Sequence, residues 1–115
     1  MSLARNRTIE SAENVAGGEG EMLRDRLLNE SQMNGICTYV VHNALVPGAS
    51  IGDHEHRGEN EMYFITAGKG LYIDNDTTYE VVKGDVLFCE DGDHHGITNT
   101  GDENLSFVAI IQATK

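Results

Sequence analysis

The chain is short of basic side chains. It carries 8 Lys and Arg against 19 Asp and Glu, for a net charge of −11 at pH 7. Phosphate contacts need clustered Lys and Arg, so a nucleic-acid partner is excluded. The acidic residues gather into no local cluster that would mark a site for a cationic ligand, and they fit a well-solvated cytoplasmic surface. No run approaches the length of a membrane span, so no membrane partner is expected. The opening "MSLARNRTIESAENV" has no apolar stretch of the kind a signal peptide or anchor requires, which again points to a cytoplasmic location. Proline occurs once while glycine occurs 13 times. That balance suits the many tight turns of an all-β chain. The two cysteines, Cys37 and Cys89, are far apart and form no C-x-x-C pattern. They read as buried free thiols in a reducing compartment, not as a disulfide or a thiolate metal site.

What is present fits one domain. At 115 residues the chain can bury a core without a disulfide or metal to staple it. Residues 1–20 are polar, end in "GGEG", and read as an N-terminal arm leading into a single β domain over 21–115. "EMLRDRLLN" (21–29) allows either a helix face or a short edge strand, and "ESQMNG" breaks it with turn formers. From "ICTYVVHNALV" (36–46) onward, runs rich in β-branched and aromatic residues recur at 61–67, 70–75, 79–83, 85–89 and 105–112. Short strands at this spacing, with tight turns at "DNDT" and "KGD", indicate a sandwich or barrel. In the last run Leu105, Phe107, Ala109 and Ile111 share one face, and Val108 and Ile110 the other. Both faces are apolar, so both should be covered: the outer one by a second copy in a homodimer, or by the N-terminal segment.

The stretch "GDHEHRGENE" (52–61) carries the chemistry. On a helix, His54 and His56 would point about 200° apart. On a strand they share a face with roughly 6.6 Å of rise between them, close enough to converge on one ion at bonds of about 2.1 Å. Glu61 follows after a turn at "RGEN" and can return a carboxylate to the same place. In "DGDHHGITN", His94 and His95 point to opposite faces of any strand, so only one of them looks inward.

These segments resemble the two motifs of the cupin superfamily of small β-barrels. The first has Gly, five residues, His-x-His, three or four residues, Glu, six residues and Gly. Here Gly48, His54, His56, Glu61 and Gly68 fill its fixed positions. The second has Gly, five residues, Pro-x-Gly, two residues, His, three residues and Asn. It is matched by Gly84, Gly92, His95 and Asn99, with Glu90 where proline is usual. The resemblance implies an all-β, double-stranded β-helix (jelly-roll) barrel in a single domain. It also implies a metal site of His54, His56, Glu61 and His95, and so chooses His95 over His94. In small cupins generally, barrels pair as dimers.

Three imidazoles and one carboxylate around a divalent ion give a net charge of +1. On an octahedral ion they leave two positions for water or a small molecule. The donor set suits manganese, iron, nickel, zinc or cobalt without choosing among them. Two functions follow. One is a metal-dependent enzyme acting on a small anionic or oxygen-rich molecule, oxalate decarboxylase-like or dioxygenase-like by analogy. The other is a non-catalytic metal-containing module that binds or senses a small molecule, such as a carboxylate. Tyr63 and Ile65 share the parity of Glu61 and should line the cavity, while Tyr72 and Tyr79 give no such clue. Glu55 and Glu59 read as solvated charges at the rim, either of which could serve as a proton donor. Arg57 is the only cation evident near the histidine pair, solvated or folded over the mouth. His42 reads as a satisfied core histidine or as a group backing the ligands inside the barrel.

Overall fold

The computed structural model describes residues 3–114. Its strands are β1 (Ile9–Glu13), β2 (Glu21–Arg26), β3 (Cys37–Leu45), β4 (Ser50–Glu55), β5 (Glu59–Ala67), β6 (Lys69–Asp74), β7 (Thr77–Val82), β8 (Val86–Cys89), β9 (His94–Asn99) and β10 (Leu105–Ala113). They form two antiparallel sheets, in the orders β1-β2-β3-β10-β5-β8 and β4-β9-β6-β7. This is the jelly-roll barrel that the motif spacing implies. No helix among the described residues is long and apolar enough to cross a membrane.

One core lies between the sheets. Met22, Val41, Leu45, Tyr63, Ile65, Leu105, Phe107 and Ala109 project from the larger sheet, and Ile51, Tyr72, Val81 and Ile97 from the smaller. Removing a side chain such as Phe107 from water contributes roughly 1.5–3 kcal/mol. The motif asparagine has a structural role. Asn99 is buried, donates to the carbonyls of Leu45 and Glu103, and accepts from Gly101 N–H, which ties the β9–β10 loop to the barrel end.

Of the two options for residues 21–29, strand prevails. β2 pairs in register with β3, Met22 opposite Leu45 and Arg24 opposite Asn43, and β1 pairs with its other side. The apolar spacing would also suit a helix, but the edge of β3 supplies backbone partners from Met22 to Leu27. The turn formers that follow make one helical turn, α1 (Glu30–Met33), because Asn29 caps it through a reciprocal capping box with Gln32.

His42 departs from expectation. Val41, Asn43 and Leu45 are the buried parity of β3, so His42 lies on the outer face of the sheet, where its Nε2 meets Thr66 Oγ1 at 3.0 Å. On the β2 side its cross-strand neighbour is Asp25, and on the other side the neighbours are apolar. Across the outer face the register sets Val40, Ile110, Met62 and Phe88 in one row, and His42, Val108, Phe64 and Val86 in the next. β1 and β2 extend this sheet at its edge instead of lying over it, and Phe64, Val86 and Phe88 remain exposed.

Candidate metal centre

The site depends on a fault in the pairing of β4. Ser50 and Ile51 pair with Thr98 and Ile97, but the next partners are His54 and His95. Three steps along β4 match two along β9, so one extra residue is accommodated at Gly52–Asp53. Such a bulge reverses which parity faces inward. Ile51 points into the core before it, and His54 and His56 point into the barrel after it. Regular alternation from Ile51 would have turned both histidines to solvent.

β4, β5 and β9 then bring together all four residues singled out in the sequence. One donor atom each from His54, His56, Glu61 and His95 lies within 4.8 Å of the others, a group that could hold a metal ion. Three contacts form a triangle: His56 Nε2 to Glu61 Oε1, His56 Nε2 to His95 Nε2, and His95 Nε2 to Glu61 Oε1, each 3.0 Å. Donors at right angles on an octahedral ion with bonds of about 2.1 Å stand about 3.0 Å apart, against about 3.4 Å on a tetrahedral one. The triangle is of the size that one ion could span.

The other nitrogen of each ring is already engaged. His54 Nδ1–H donates to the Gly52 carbonyl at 2.7 Å, so the bulge itself orients this ring. His56 Nδ1–H donates to Glu59 Oε1 at 3.0 Å, and His95 Nδ1 meets the Tyr72 hydroxyl at 2.9 Å. Partners of this kind fix ring orientation and tautomer and leave Nε2 free for an ion. Tyr63 stacks on His95 with ring centroids 5.0 Å apart.

The electrostatics suit a cation. Burial pulls His54 below its ordinary pKa. The hydrogen bond with Glu61 lifts His56 above its own, against the effect of burial. Burial pushes the Glu61 carboxyl up, but hydrogen bonds with His56 and His95 outweigh it and hold the group below its usual range. Metal binding at donors of this kind competes with their protonation.

Beside the centre is a cavity of about 120 Å³, whose lining includes His54, His56, Glu61, Tyr63, Arg24, Tyr39 and Asn43. Tyr63 faces it as its parity required, whereas Ile65 packs in the core. Arg57 does not fold over the mouth: its side chain is 83% exposed and pairs with Glu55. The cation at the cavity is Arg24, which the sequence reading passed over because residues 21–29 had no assigned strand parity. Glu59 is engaged with His56, and Tyr72 backs His95. His94, the alternative ligand, is 39% exposed and bonded to Asp53 at 2.8 Å. The turn at Glu90 forms without proline: Asp93 N–H donates to the Glu90 carbonyl at 2.9 Å, and Gly92 supplies the positive φ of 92°.

Comparison with known proteins identifies the family of the chain. A family model described as a cupin domain matches residues 41–111. An oxalate-binding protein of Thermotoga maritima is 38% identical over 104 residues, covering 90% of this chain and 86% of that protein. The crystal structure of a predicted oxalate decarboxylase from T. maritima superposes with a TM-score of 0.91 at 37% identity, covering 93% of each chain. An uncharacterised protein of Methanocaldococcus jannaschii is 27% identical over 90 residues, 78% of this chain and 71% of that one. Cupins commonly bind a metal. With the two motifs, the double-sheet barrel and these relatives all in accord, the chain belongs to the cupin superfamily, as a small single-domain member.

Proposed function

We propose that His54, His56, Glu61 and His95 hold one divalent transition-metal ion, and that the protein uses it to bind a small carboxylic acid of the oxalate class. The carrying observation is that three of the four donors, His54, His56 and Glu61, line a cavity of about 120 Å³, with His95 held 3.0 Å from His56 and Glu61. The cavity is roughly four water volumes, far below the several hundred Å³ of pockets for drug-sized ligands. A bound ion would supply Lewis acidity and, with this donor set, a net charge of +1 that attracts a carboxylate. The name of the Thermotoga relative as an oxalate-binding protein supports the same reading. Turnover of the acid is the second reading, favoured by a four-donor set that leaves two octahedral positions open. A decarboxylase would also need a proton donor, and the only carboxylate lining the cavity is Glu61, itself one of the four donors.

Calorimetry tests the binding reading. Oxalate titrated into metal-loaded protein should give saturable heat, and into metal-stripped protein none. Equal binding to both samples would defeat it, and release of carbon dioxide in the loaded sample would move the assignment to the second reading.

We also propose that two copies pair through the outer face of the larger sheet. The rows of Val40, Ile110, Met62 and Phe88 and of His42, Val108, Phe64 and Val86 form a nearly continuous apolar surface, of the kind that marks an interface. A two-fold axis through it would set like residues against like. Sedimentation at tens of micromolar should give about twice the chain mass, and Phe88→Asp should reduce it to the monomer. A wild-type monomer under those conditions would refute the pairing.

A further inference from the structure

Arg24 lies on the inner face of β2, directly opposite Asn43 on β3. Both residues line the cavity that His54, His56 and Glu61 also line. The guanidinium sits over the Tyr39 ring, 5.5 Å from its centroid, which restricts where it can point. Among the described residues no carboxylate pairs with it, and its Nε is buried without a hydrogen-bond partner. Asn43 is 2% exposed, and its Oδ1 is likewise buried and unpartnered. These are the two buried side-chain polar atoms without a partner among the described residues, and both belong to residues lining this one cavity.

Leaving buried donors and acceptors unused is costly, and native interiors seldom do so without a reason. The other basic groups of this region are spent on the protein itself: Arg7 on Asp25, Arg26 on Glu10 and Arg57 on Glu55. Arg24 has no such carboxylate, and its Nε stays unpartnered. A guanidinium without a carboxylate partner and with an unused Nε–H calls for an anion with oxygens in a plane, since the fork of N–H groups matches a carboxylate in two-point contact. The Asn43 amide can add its NH₂ by a half-turn about its terminal torsion.

We propose that Arg24, steadied by Tyr39 and assisted by Asn43, is a specificity-determining anion subsite. It takes the second carboxylate of an acid whose first carboxylate is held at the metal centre. The inference rests on the binding reading above and deepens it. The ligand is a compact dianion, and a monocarboxylate of equal metal affinity leaves half the site unused.

The test compares oxalate with acetate by calorimetry on metal-loaded wild type, Arg24→Gln and Arg24→Met, with metal content and melting temperature measured for each. Arg24→Met keeps an unbranched apolar stem against Tyr39, so it serves if the Gln variant fails to fold. Either variant should retain its metal and lose about 10- to 100-fold in oxalate affinity, the usual value of a charge-assisted contact. Acetate affinity should change by less than about threefold. Unchanged oxalate affinity in the variants would overturn the subsite alone, since it would mean that the metal chelates oxalate without help. An equal loss for oxalate and acetate would also overturn it, by reducing Arg24 to a general effect on the centre. If metal-loaded wild type takes no oxalate, both readings fall together.

Discussion

Replacing His56 with alanine is expected to lower metal affinity by well over 100-fold while the barrel stays folded. His56 holds the middle of the site. Its Nε2 is within 3.0 Å of both Glu61 and His95, and its Nδ1 is tied to Glu59. Losing it removes one of four donors and two edges of the 3.0 Å triangle. Loss of a partner that merely orients a ligand costs about 10–100-fold, so loss of a donor should exceed that. Glu59→Gln and Tyr72→Phe set the comparison: each should fall within that smaller range, because each touches only the far side of one ring. His94→Ala should leave metal content unchanged, since His94 points outward to Asp53. Elemental analysis of protein dialysed against a graded chelator reads all four variants. Stoichiometric metal in the His56 variant, or loss in His94→Ala equal to that in His56→Ala, would mean that the donors are assigned to the wrong residues.

The clustering of His54, His56, Glu61 and His95 was legible because most of its signal is local. Two histidines at i and i+2 and a carboxylate after a glycine turn point to a shared ion by spacing, and the resemblance to the cupin motifs adds His95 in preference to His94. The strands 36–46, 61–67 and 105–112 were legible for a related reason, since their runs are long and rich in β-branched residues. Glu59 and Tyr72 were not, because both depend on cross-strand neighbours. Tyr72 reaches His95 only because β6 pairs with β9, a contact 23 residues apart in sequence. His42 was placed on the wrong side because the parity of Thr38, Val40 and Ala44 says which residues share a face, not which face is inside. Arg24 was missed because an amphipathic segment that fits both helix and strand yields no inward set until a neighbouring edge selects one.

The bulge in β4 is the least legible feature and the one on which the site most depends. Glycine at 52 is required by approach and not by backbone angle. A Cβ there would lie 2.1 Å from the Ala16 carbonyl oxygen and 2.9 Å from Gly18 N, both backbone atoms of the turn Val15–Gly17 and its cap. Neither can yield as a flexible side chain would. Gly52→Ala must therefore push β4 and this turn apart, at a cost of roughly 1–3 kcal/mol, and more if the shift spreads. For a chain of this length that corresponds to a fall of about 4–12 °C in melting temperature. The Gly52 carbonyl also accepts from His54 Nδ1, so the same displacement should turn that ring and weaken metal binding by about 10-fold or more. Gly18→Ala, which presses the opposite way on the Ser50 carbonyl at 2.2 Å, should match the loss in melting temperature. Gly101→Ala is the control, because its Cβ would first meet the flexible Lys69 side chain at 3.3 Å, and the protein should melt almost unchanged. A Gly52→Ala protein that melts with the wild type and keeps its full metal affinity would show that the inward turn of His54 and His56 does not depend on this close approach.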